Sequence, residues 1–289
     1  MRRASLAILA VMAISGPAFA QDAAPPARMS DTPCPPPAPA TPRERLQAVL
    51  TPGSPPPPMQ TGGPITDPGY LAYLKRRDAE RLRDFAAMCR YKPDNAAQMT
   101  RGRPEVVMMG DSITENWGSG DPALVSGSIV DRGISGQTSP QMLLRFYQDV
   151  VALKPRIVHI MAGTNDVAGN TGPSSPEDFR NTVRAMVDLA RGNDIAVILA
   201  SIPPTQRFSW RPDLQPADTI RSLNDWLRTF AAERKIVFAD YYRAMAAPAG
   251  GMRPDLSNDG VHPTTAGYAV MRPVFEAAVR QALRAKRRG

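Results

Sequence analysis

The sequence is poor in the residues from which metal and redox centres are built, since its 289 residues include two cysteines and two histidines. It contains no phosphate-binding loop of the Gly-x-x-x-x-Gly-Lys-Ser/Thr type, no His-Glu-x-x-His motif and no cysteine cluster, so neither a nucleotide nor a metal mechanism is indicated. We therefore expect no cofactor and no metal. The Gly-x-Ser-x-Gly motif, which places the serine nucleophile of α/β-hydrolases, is also absent.

Long apolar stretches are scarce as well, and none is long enough to span a bilayer. At the amino terminus, Arg2 and Arg3 precede an apolar run that ends in a small-x-small cleavage site at Ala18-Phe19-Ala20. We interpret residues 1–20 as a secretory signal peptide. The protein is expected to be exported, to the periplasm or the medium, with no integral membrane segment after cleavage. No cysteine closely follows the cleavage site, which argues against a lipid anchor.

Proline is abundant, with 31 residues, and is concentrated in residues 21–66. Such a composition favours an extended arm without a core of its own. Residues 67–100 form a predicted helical segment, with one helix over about 68–90, where apolar residues recur among many arginines. Export to an oxidising compartment predicts a disulfide between Cys34 and Cys89, which would pin the arm to this helix; two unpaired thiols are the alternative.

The formal net charge is +8, and arginine supplies most of the positive charge. An exported basic protein meets anionic polysaccharide, lipid head groups and cell wall more readily than nucleic acid. Basic and aromatic residues do not alternate as they do in proteins that bind single-stranded nucleic acid, so we expect no nucleic-acid partner. A solvated basic surface without a partner is the simpler interpretation. The oligomeric state is left open.

Strand-like and helix-like stretches alternate through residues 101–289, which we assign to the main domain. Predicted strands cover 106–109, 128–131, 156–162, 195–200 and 235–239, and predicted helices cover 141–153, 175–191, 218–234 and 264–284. Alternation of this kind predicts a parallel sheet with helices on both faces. We therefore expect an α/β domain of three layers with five parallel strands.

The first predicted strand runs directly into Gly110-Asp111-Ser112. These side chains should therefore lie at the carboxyl edge of the sheet, where open α/β sheets bind their ligands. A serine in that position can act as a nucleophile if a histidine and a carboxylate reach it. Capping of the next helix by Asp111 and Ser112 is the alternative.

Two further loops begin at neighbouring strand ends. Gly133 and Gly136 follow the second strand, and two glycines three residues apart indicate a tight turn whose N–H groups face a ligand. Asn165, in Gly163-Thr164-Asn165-Asp166, follows the third strand and can present its amide to the same crevice. An ordinary loop and a turn-forming asparagine are the respective alternatives.

The two histidines have different settings. His159 lies inside the third strand between Val158 and Ile160, which predicts a packed core residue. His262 lies in a loop that leads into the last helix, three residues after Asp259. The carboxylate of Asp259 can accept from Nδ1–H and leave Nε2 to take a proton from a serine. Capping by Asp259 is the alternative.

Four of these stretches, in this order, resemble the blocks of the SGNH or GDSL-type hydrolase family. They are Gly110-Asp111-Ser112-Ile113, residues 133–138, Gly163-Thr164-Asn165-Asp166 and Asp259-Gly260-Val261-His262-Pro263, and the resemblance extends over about residues 105–283. Each block alone is weak evidence, whereas the four together are specific. The resemblance implies a flavodoxin-like α/β/α fold.

The resemblance also implies roles for individual residues. Ser112 would be the nucleophile, His262 the general base and acid, and Asp259 the residue that orients His262. The oxyanion hole would consist of the N–H groups of Ser112 and Gly136 and the side chain of Asn165. Gly133, in the same block as Gly136, is the less favoured second donor.

Substrate contacts are expected from side chains near this edge. Phe208 and Trp210 lie in a long loop, residues 201–216, after the fourth strand, and they could stack on a sugar ring. Trp117, five residues after the serine, and Asp111 are further candidates. Packing of the aromatic side chains against the domain is the alternative.

We therefore expect a serine esterase that hydrolyses carboxylic esters through an acyl-Ser112 intermediate. The preferred activity is removal of an acetyl or other short acyl group from an extracellular carbohydrate. A short-chain ester or lysophospholipid-type substrate is a second possibility. A catalytically silent module that binds carbohydrate or cell wall on the same fold is a third.

Overall fold

The computed structural model describes Cys34 and residues 41–55, 66–125 and 127–286. The strands are β1 (Val106–Gly110), β2 (Ile129–Gly133), β3 (Ile157–Ile160), β4 (Ala196–Ala200) and β5 (Val237–Ala239). They form one parallel sheet in the order β2-β1-β3-β4-β5. The predicted five-stranded parallel sheet is thereby confirmed, and the strand order reverses beside β1, where open sheets of this kind bind ligands.

Long helices cover both faces of the sheet, and shorter helices follow several strand ends. In chain order the described helices are α1 (Arg43–Leu50), α2 (Pro68–Arg83), α3 (Lys92–Arg101), α4 (Ser112–Glu115), α5 (Trp117–Gly120), α6 (Ser139–Asp149), α7 (Thr164–Ala168), α8 (Pro176–Gly192), α9 (Ala217–Glu233), α10 (Tyr241–Met245) and α11 (Thr265–Lys286). None of these helices has the combined length and apolar character of a membrane-spanning helix.

The core lies in two layers, one on each side of the sheet. In β1, Val107 and Met109 pack into the layer beneath α6, α8 and α9, whereas Val106 and Met108 pack into the layer beneath α11. All five residues of β1 are buried, which is why this strand is a continuous apolar run instead of an alternating one.

The segment that precedes the sheet differs from its prediction in two respects. Residues 43–50 of the predicted extended arm form helix α1. The helix predicted over 68–90 ends at Arg83, because the carboxylate of Asp84 accepts the N–H groups of Met88 and Cys89 (both 2.8 Å) and turns the chain before α3. Both cysteines of the chain are disulfide-bonded, as predicted. The predicted signal peptide and most of the predicted arm lie outside the described residues.

Helix α1 is held against the main domain by apolar and polar contacts. Leu50 is buried in the same core layer as α11. Asn258 donates its side-chain amide to the carbonyl groups of Ala48 (2.9 Å) and Thr51 (2.8 Å), at the carboxyl end of the helix, and accepts the N–H of Gly53 (3.1 Å). One side chain thus satisfies carbonyl groups that the end of a helix leaves unpaired.

Candidate active site

Ser112 stands at the junction of β1 and α4, and glycine at position 110 permits the tight packing found there. A Cβ on Gly110 would lie 1.9 Å from Oγ1 of Thr114, so the close approach of helix to strand requires glycine at this position. Asp111 then caps α4 by accepting the N–H of Ile113 (3.0 Å). Ser112 is the first residue of the helix, at the carboxyl edge of the sheet.

His262 reaches this serine from a loop 150 residues further along the chain. The Oγ of Ser112 and Nε2 of His262 are 2.9 Å apart. Nδ1 of His262 lies 2.7 Å from Oδ2 of Asp259, and Oδ1 of Asp259 accepts the N–H groups of Val261 (2.8 Å) and His262 (2.7 Å). The carboxylate therefore fixes both the loop and the imidazole ring that the loop carries.

Electrostatic effects within this group oppose one another. Burial disfavours the charged imidazole, but the adjacent Asp259 outweighs burial, with a smaller contribution from Asp111, and raises the pKa of His262. Burial likewise disfavours the Asp259 carboxylate, but the His262 ring and the two backbone N–H groups outweigh it and lower the pKa of Asp259. Asp259 therefore stays ionised while His262 is a strengthened proton acceptor.

Two backbone N–H groups of the site find no acceptor among the described residues. Those of Ser112 and Gly136 make no hydrogen bond to any described residue. Gly136 has φ +79°, a left-handed conformation that favours glycine. Gly133 differs, because its N–H is already donated to Asp131 (2.6 Å). Of the two glycines, only Gly136 therefore has an N–H that is not donated to a described residue.

Asn165, in α7, lies behind these groups and is 4% exposed. Its Nδ2 is 3.1 Å from both Oδ2 of Asp111 and the carbonyl oxygen of Gln137, and its Oδ1 accepts from Asn170. The amide is thus engaged on both sides. Burial raises the pKa of Asp111 to about 6, against the opposing effects of the Ile113 N–H and of His262. Asp111 is therefore a buried support for Asn165, which corrects its assignment as a substrate contact.

A cavity of about 290 Å³ opens onto Ser112 and His262. Its walls come from the strand-end loops on one side and from the amino-terminal segment on the other. The lining residues of the first group are Ser112, Asn116, Ser135, Gly136, Asn170, Trp210 and His262, and those of the second are Thr41, Arg45, Val49, Tyr70, Tyr73, Arg77 and Arg81.

Of the three aromatic residues predicted to contact substrate, only Trp210 lines this cavity, and its Nε1 donates to Asn170 (3.0 Å). Trp117 is fully buried on the α11 side of the sheet, where its ring packs against Phe275 at 5.7 Å. Phe208 is fully buried behind Trp210. The prediction was wrong for Trp117 and Phe208 because spacing from the serine does not reveal which side of a short helix or loop faces the core.

Two residues that support the site were not found from the sequence. Glu115 accepts the N–H of Ser135 (2.8 Å) and pairs with Arg90 (2.9 Å), and it thereby holds the loop that carries Gly136. Fully buried Arg145 donates to the carbonyl oxygen of Gly110 (3.1 Å) at the end of β1. Their partners are distant in sequence, so no local motif reveals them.

His159 is fully buried in β3, with Nε2 2.9 Å from the hydroxyl group of Tyr241, as expected of a core residue. Burial lowers its pKa to about 3, so the ring is neutral. Among the described residues, no group of three or more His, Cys, Asp or Glu side chains is arranged to hold a metal ion.

Comparisons with solved structures show the same fold. A GDSL-like lipase of Bacteroides thetaiotaomicron is 40% identical, with a TM-score of 0.65 over 68% of this chain and 99% of its own. A structure from Bacteroides fragilis is 39% identical, with a TM-score of 0.66 over 69% and 99%. An acetylxylan esterase of Geobacillus stearothermophilus, 22% identical with a TM-score of 0.50 over 62% and 95%, shares the fold.

Sequence comparisons agree with this likeness. The lipoprotein YqeF of Bacillus subtilis is 33% identical in an alignment 122 residues long that covers 36% of this chain and 50% of that protein. This chain thus spans half the length of that relative. The GDSL-like lipase/acylhydrolase family matches residues 108–270, a region that includes Ser112, Asp259 and His262 and more than half of the sequence. The chain therefore belongs to the GDSL-like lipase/acylhydrolase family of ester hydrolases.

Proposed function

We propose that the protein is a serine esterase that removes an acetyl or other short acyl group from an extracellular carbohydrate. The observation that carries the proposal is a chain of two hydrogen bonds. One joins Ser112 Oγ to His262 Nε2 (2.9 Å), and the other joins His262 Nδ1 to Asp259 (2.7 Å). Ser112 and His262 both line a cavity. A serine, a base and a group that orients the base are what acyl transfer through a covalent intermediate requires.

In the proposed first step, Nε2 of His262 takes the proton of Ser112 while Oγ attacks the carbonyl carbon of the ester. The carbonyl oxygen becomes an oxyanion, which the N–H groups of Ser112 and Gly136 stabilise, with the side-chain amide of Asn165 as the third proposed donor. Removal of one such donor typically costs about 10²–10³ in turnover. The intermediate collapses, His262 gives its proton to the departing alcohol, and the acyl group stays on Ser112.

The second step mirrors the first. Water gives a proton to His262 and its oxygen attacks the acyl carbon. Collapse of this intermediate breaks the bond to Ser112, whose Oγ takes the proton back from His262, and the carboxylic acid leaves. The rise in the pKa of His262 caused by Asp259 suits both steps, because each begins with proton removal by the imidazole.

The size of the cavity supports a short acyl group. Its volume of about 290 Å³ lies just below the usual range for small-molecule sites, about 300–1,000 Å³. Trp210 offers an aromatic surface at the wall, on which a sugar ring can stack. An acyl chain of many carbons would compete for this volume with the alcohol part of the ester.

The test is a series of p-nitrophenyl esters of rising chain length together with acetylated saccharides, with Ser112→Ala as the control. We expect kcat/KM to fall steeply beyond short acyl chains, and Ser112→Ala to abolish nearly all turnover. Combining Ser112→Ala with His262→Ala should cost little more, because the two residues act as a unit. A preference for long chains would contradict the substrate class. Failure of a fluorophosphonate to label Ser112 would favour a silent binding module.

We further propose that the protein is exported. Disulfide-bonded cysteines are rare in reducing cytosol, so the bonded state of Cys34 and Cys89 supports an oxidising compartment. Cell fractionation tests this proposal, with recovery in the periplasm or medium as the expected result. Recovery of the mature protein in the cytosol would contradict it.

A further inference from the structure

The cavity wall contributed by the amino-terminal segment is basic. Arg45 of α1 and Arg77 and Arg81 of α2 line the same cavity as Ser112 and His262. All three precede residues 108–270, the region that matches the family. This wall therefore lies outside the region that matches the family.

None of the three arginines contacts an acidic side chain among the described residues, although the charge of Asp78, three residues earlier in α2, acts on Arg81. They make no ion pair and no hydrogen bond there, whereas Arg184, Arg211 and Arg228 on the surface are each paired with a carboxylate. In addition, Nε of Arg77 is buried without a hydrogen-bond partner. No acidic side chain lines the described cavity. Within this cavity, the guanidinium groups therefore face no carboxylate of a described residue.

Nearby carboxylates are engaged elsewhere. A smaller cavity of about 80 Å³ adjoins the first, shares Arg77 and Arg81, and is bordered by Glu115 and Asp84. Glu115 is bound to Arg90 and to the loop of Ser135, and Asp84 accepts backbone N–H groups of its own turn. Glu115 and Asp84 therefore compete little for the arginines. The acidic side chains that an added anion would meet there are Glu80, which also borders the smaller cavity, and Asp78, whose charge acts on Arg81.

The two arginines of α2 are one turn apart, and like charges at this spacing repel. Burial, and then the charge of Arg77, lowers the pKa of Arg81 against the opposing effect of Asp78. Tyrosine rings support two of the guanidinium groups, with Arg45 3.3 Å above the ring of Tyr70 and Arg77 5.9 Å from that of Tyr73. Stacking of this kind orients a guanidinium and leaves its N–H groups available to a ligand.

The arginines are also fixed relative to the reacting groups. A Cβ on Gly136 would lie 3.7 Å from Nη2 of Arg81, so this guanidinium adjoins the loop of the candidate oxyanion hole. Asn258, next to Asp259, holds the carboxyl end of α1. A ligand bound by the arginines would therefore stand at a set distance from Ser112.

We propose that Arg77 and Arg81, with Arg45, bind a carboxylate on the alcohol part of the ester, and that the substrate is an O-acylated acidic sugar. Guanidinium groups pair with carboxylates through two parallel hydrogen bonds, which gives direction as well as attraction. The stacked rings of Tyr70 and Tyr73 (5.5 Å) and the indole of Trp210 supply apolar surface for the sugar. This inference rests on the esterase activity proposed above.

The experiment compares O-acetylglucuronic acid with the matching neutral O-acetylglucoside. Wild-type protein should have the higher kcat/KM for the acidic sugar, mainly through a lower KM, and added salt should reduce this preference. Arg77→Gln and Arg81→Gln should each lower the ratio of the two kcat/KM values by about tenfold or more, as loss of a charge-assisted hydrogen bond predicts. Arg76→Gln, on an exposed side of the same helix, should leave the ratio unchanged.

The possible failures are distinguishable. If wild-type protein hydrolyses p-nitrophenyl acetate and the neutral sugar but does not prefer the acidic one, the arginine proposal is wrong while the esterase stands. If no ester is hydrolysed, the proposed function itself fails. An acetylglycerol phosphate preferred over the acidic sugar would replace carboxylate by phosphate and overturn the sugar assignment.

Discussion

At His262, two effects of opposite sign set the proton affinity of the imidazole. Burial favours the neutral ring, whereas the carboxylate of Asp259 favours the charged ring. Together with a contribution from Asp111, the effect of Asp259 exceeds that of burial. The pKa of His262 is therefore raised although its side chain is only 16% exposed. Proton removal from Ser112 requires the neutral ring, so this pKa determines the pH range of activity.

We predict that kcat/KM rises with pH through a midpoint above 6.5, the ordinary pKa of histidine. Asp259→Asn removes the charge that favours imidazolium, so the midpoint should move to lower pH while the plateau falls by up to about 10⁴-fold. NMR titration of His262 measures the same shift without catalysis. A midpoint unchanged by Asp259→Asn would show that Asp259 does not set the charge of the ring.

His159 provides a second pH-dependent prediction, concerning stability. Its pKa is about 3 in the folded protein and about 6.5 in the unfolded chain, so the unfolded state binds more protons between these values. Above about pH 6.5 the ring is neutral in both states and does not destabilise the fold. As the pH falls below this value, the free energy of unfolding decreases, by about 2 kcal/mol between pH 7 and pH 5.

The measurement is urea unfolding of wild type and of His159→Phe at pH 7 and 5. The variant has no imidazole to protonate, so it should lose about 2 kcal/mol less than wild type between the two pH values. The fixed cost of the missing bond to Tyr241 cancels in this comparison. Equal losses would mean that His159 is not the buried neutral group described above.

At the scale of elements, helix α6 connects the strand ends. Arg145 on this helix donates to the carbonyl oxygen of Gly110 (3.1 Å), to Gln137 (2.6 Å) and to Asp149 (3.0 Å), and its side chain and that of Asp149 are fully buried. Asp149 also accepts from Asn95 of α3 (2.7 Å). One buried ion pair thus positions β1, the loop of Gly136 and two helices.

We predict that Arg145→Met destabilises the protein by about 3–5 kcal/mol, because it leaves Asp149 buried without a counter-charge. Denaturant unfolding measures the change. The double variant Arg145→Met, Asp149→Leu should recover much of the loss, since no unpaired charge then remains. A loss below about 1 kcal/mol in the single variant would show that water or a local rearrangement solvates Asp149.

At the scale of the whole molecule, the amino-terminal segment is part of the site. Residues 41–81 supply half of the described residues that line the cavity in front of Ser112, although they lie outside the region that matches the family. The disulfide of Cys34 and Cys89 constrains the chain on both sides of α1 and α2 in sequence. A cross-link over a stretch of this kind reduces the entropy of the unfolded chain.

Reduction of this disulfide should therefore lower the free energy of unfolding by about 2–4 kcal/mol. Thermal or urea unfolding with and without dithiothreitol measures the difference, and Cys34→Ser, Cys89→Ser serves as a control that the reductant should not affect. If reduced and oxidised protein unfold at the same denaturant concentration, the bridge contributes nothing to stability.

The sequence by itself determined the sheet, its parallel strands and the motifs at their ends, because apolar runs and strand-to-loop transitions are local features. Gly110-Asp111-Ser112 and Asp259 with His262 could be recognised in this way, and so could the buried setting of His159. The ends of helices were harder: α2 stops at Arg83 because a side chain, that of Asp84, takes over the backbone N–H groups that would continue it.

Only the tertiary structure decided which side chains face the cavity. Trp117 and Trp210 were equal candidates in the sequence, yet one is buried beside Phe275 and the other lines the cavity. The fold likewise brought Arg77 and Arg81 to the wall opposite Ser112. The physical reason is that burial depends on contacts between segments far apart in the chain, whereas a sequence pattern records only the preferences of neighbouring residues.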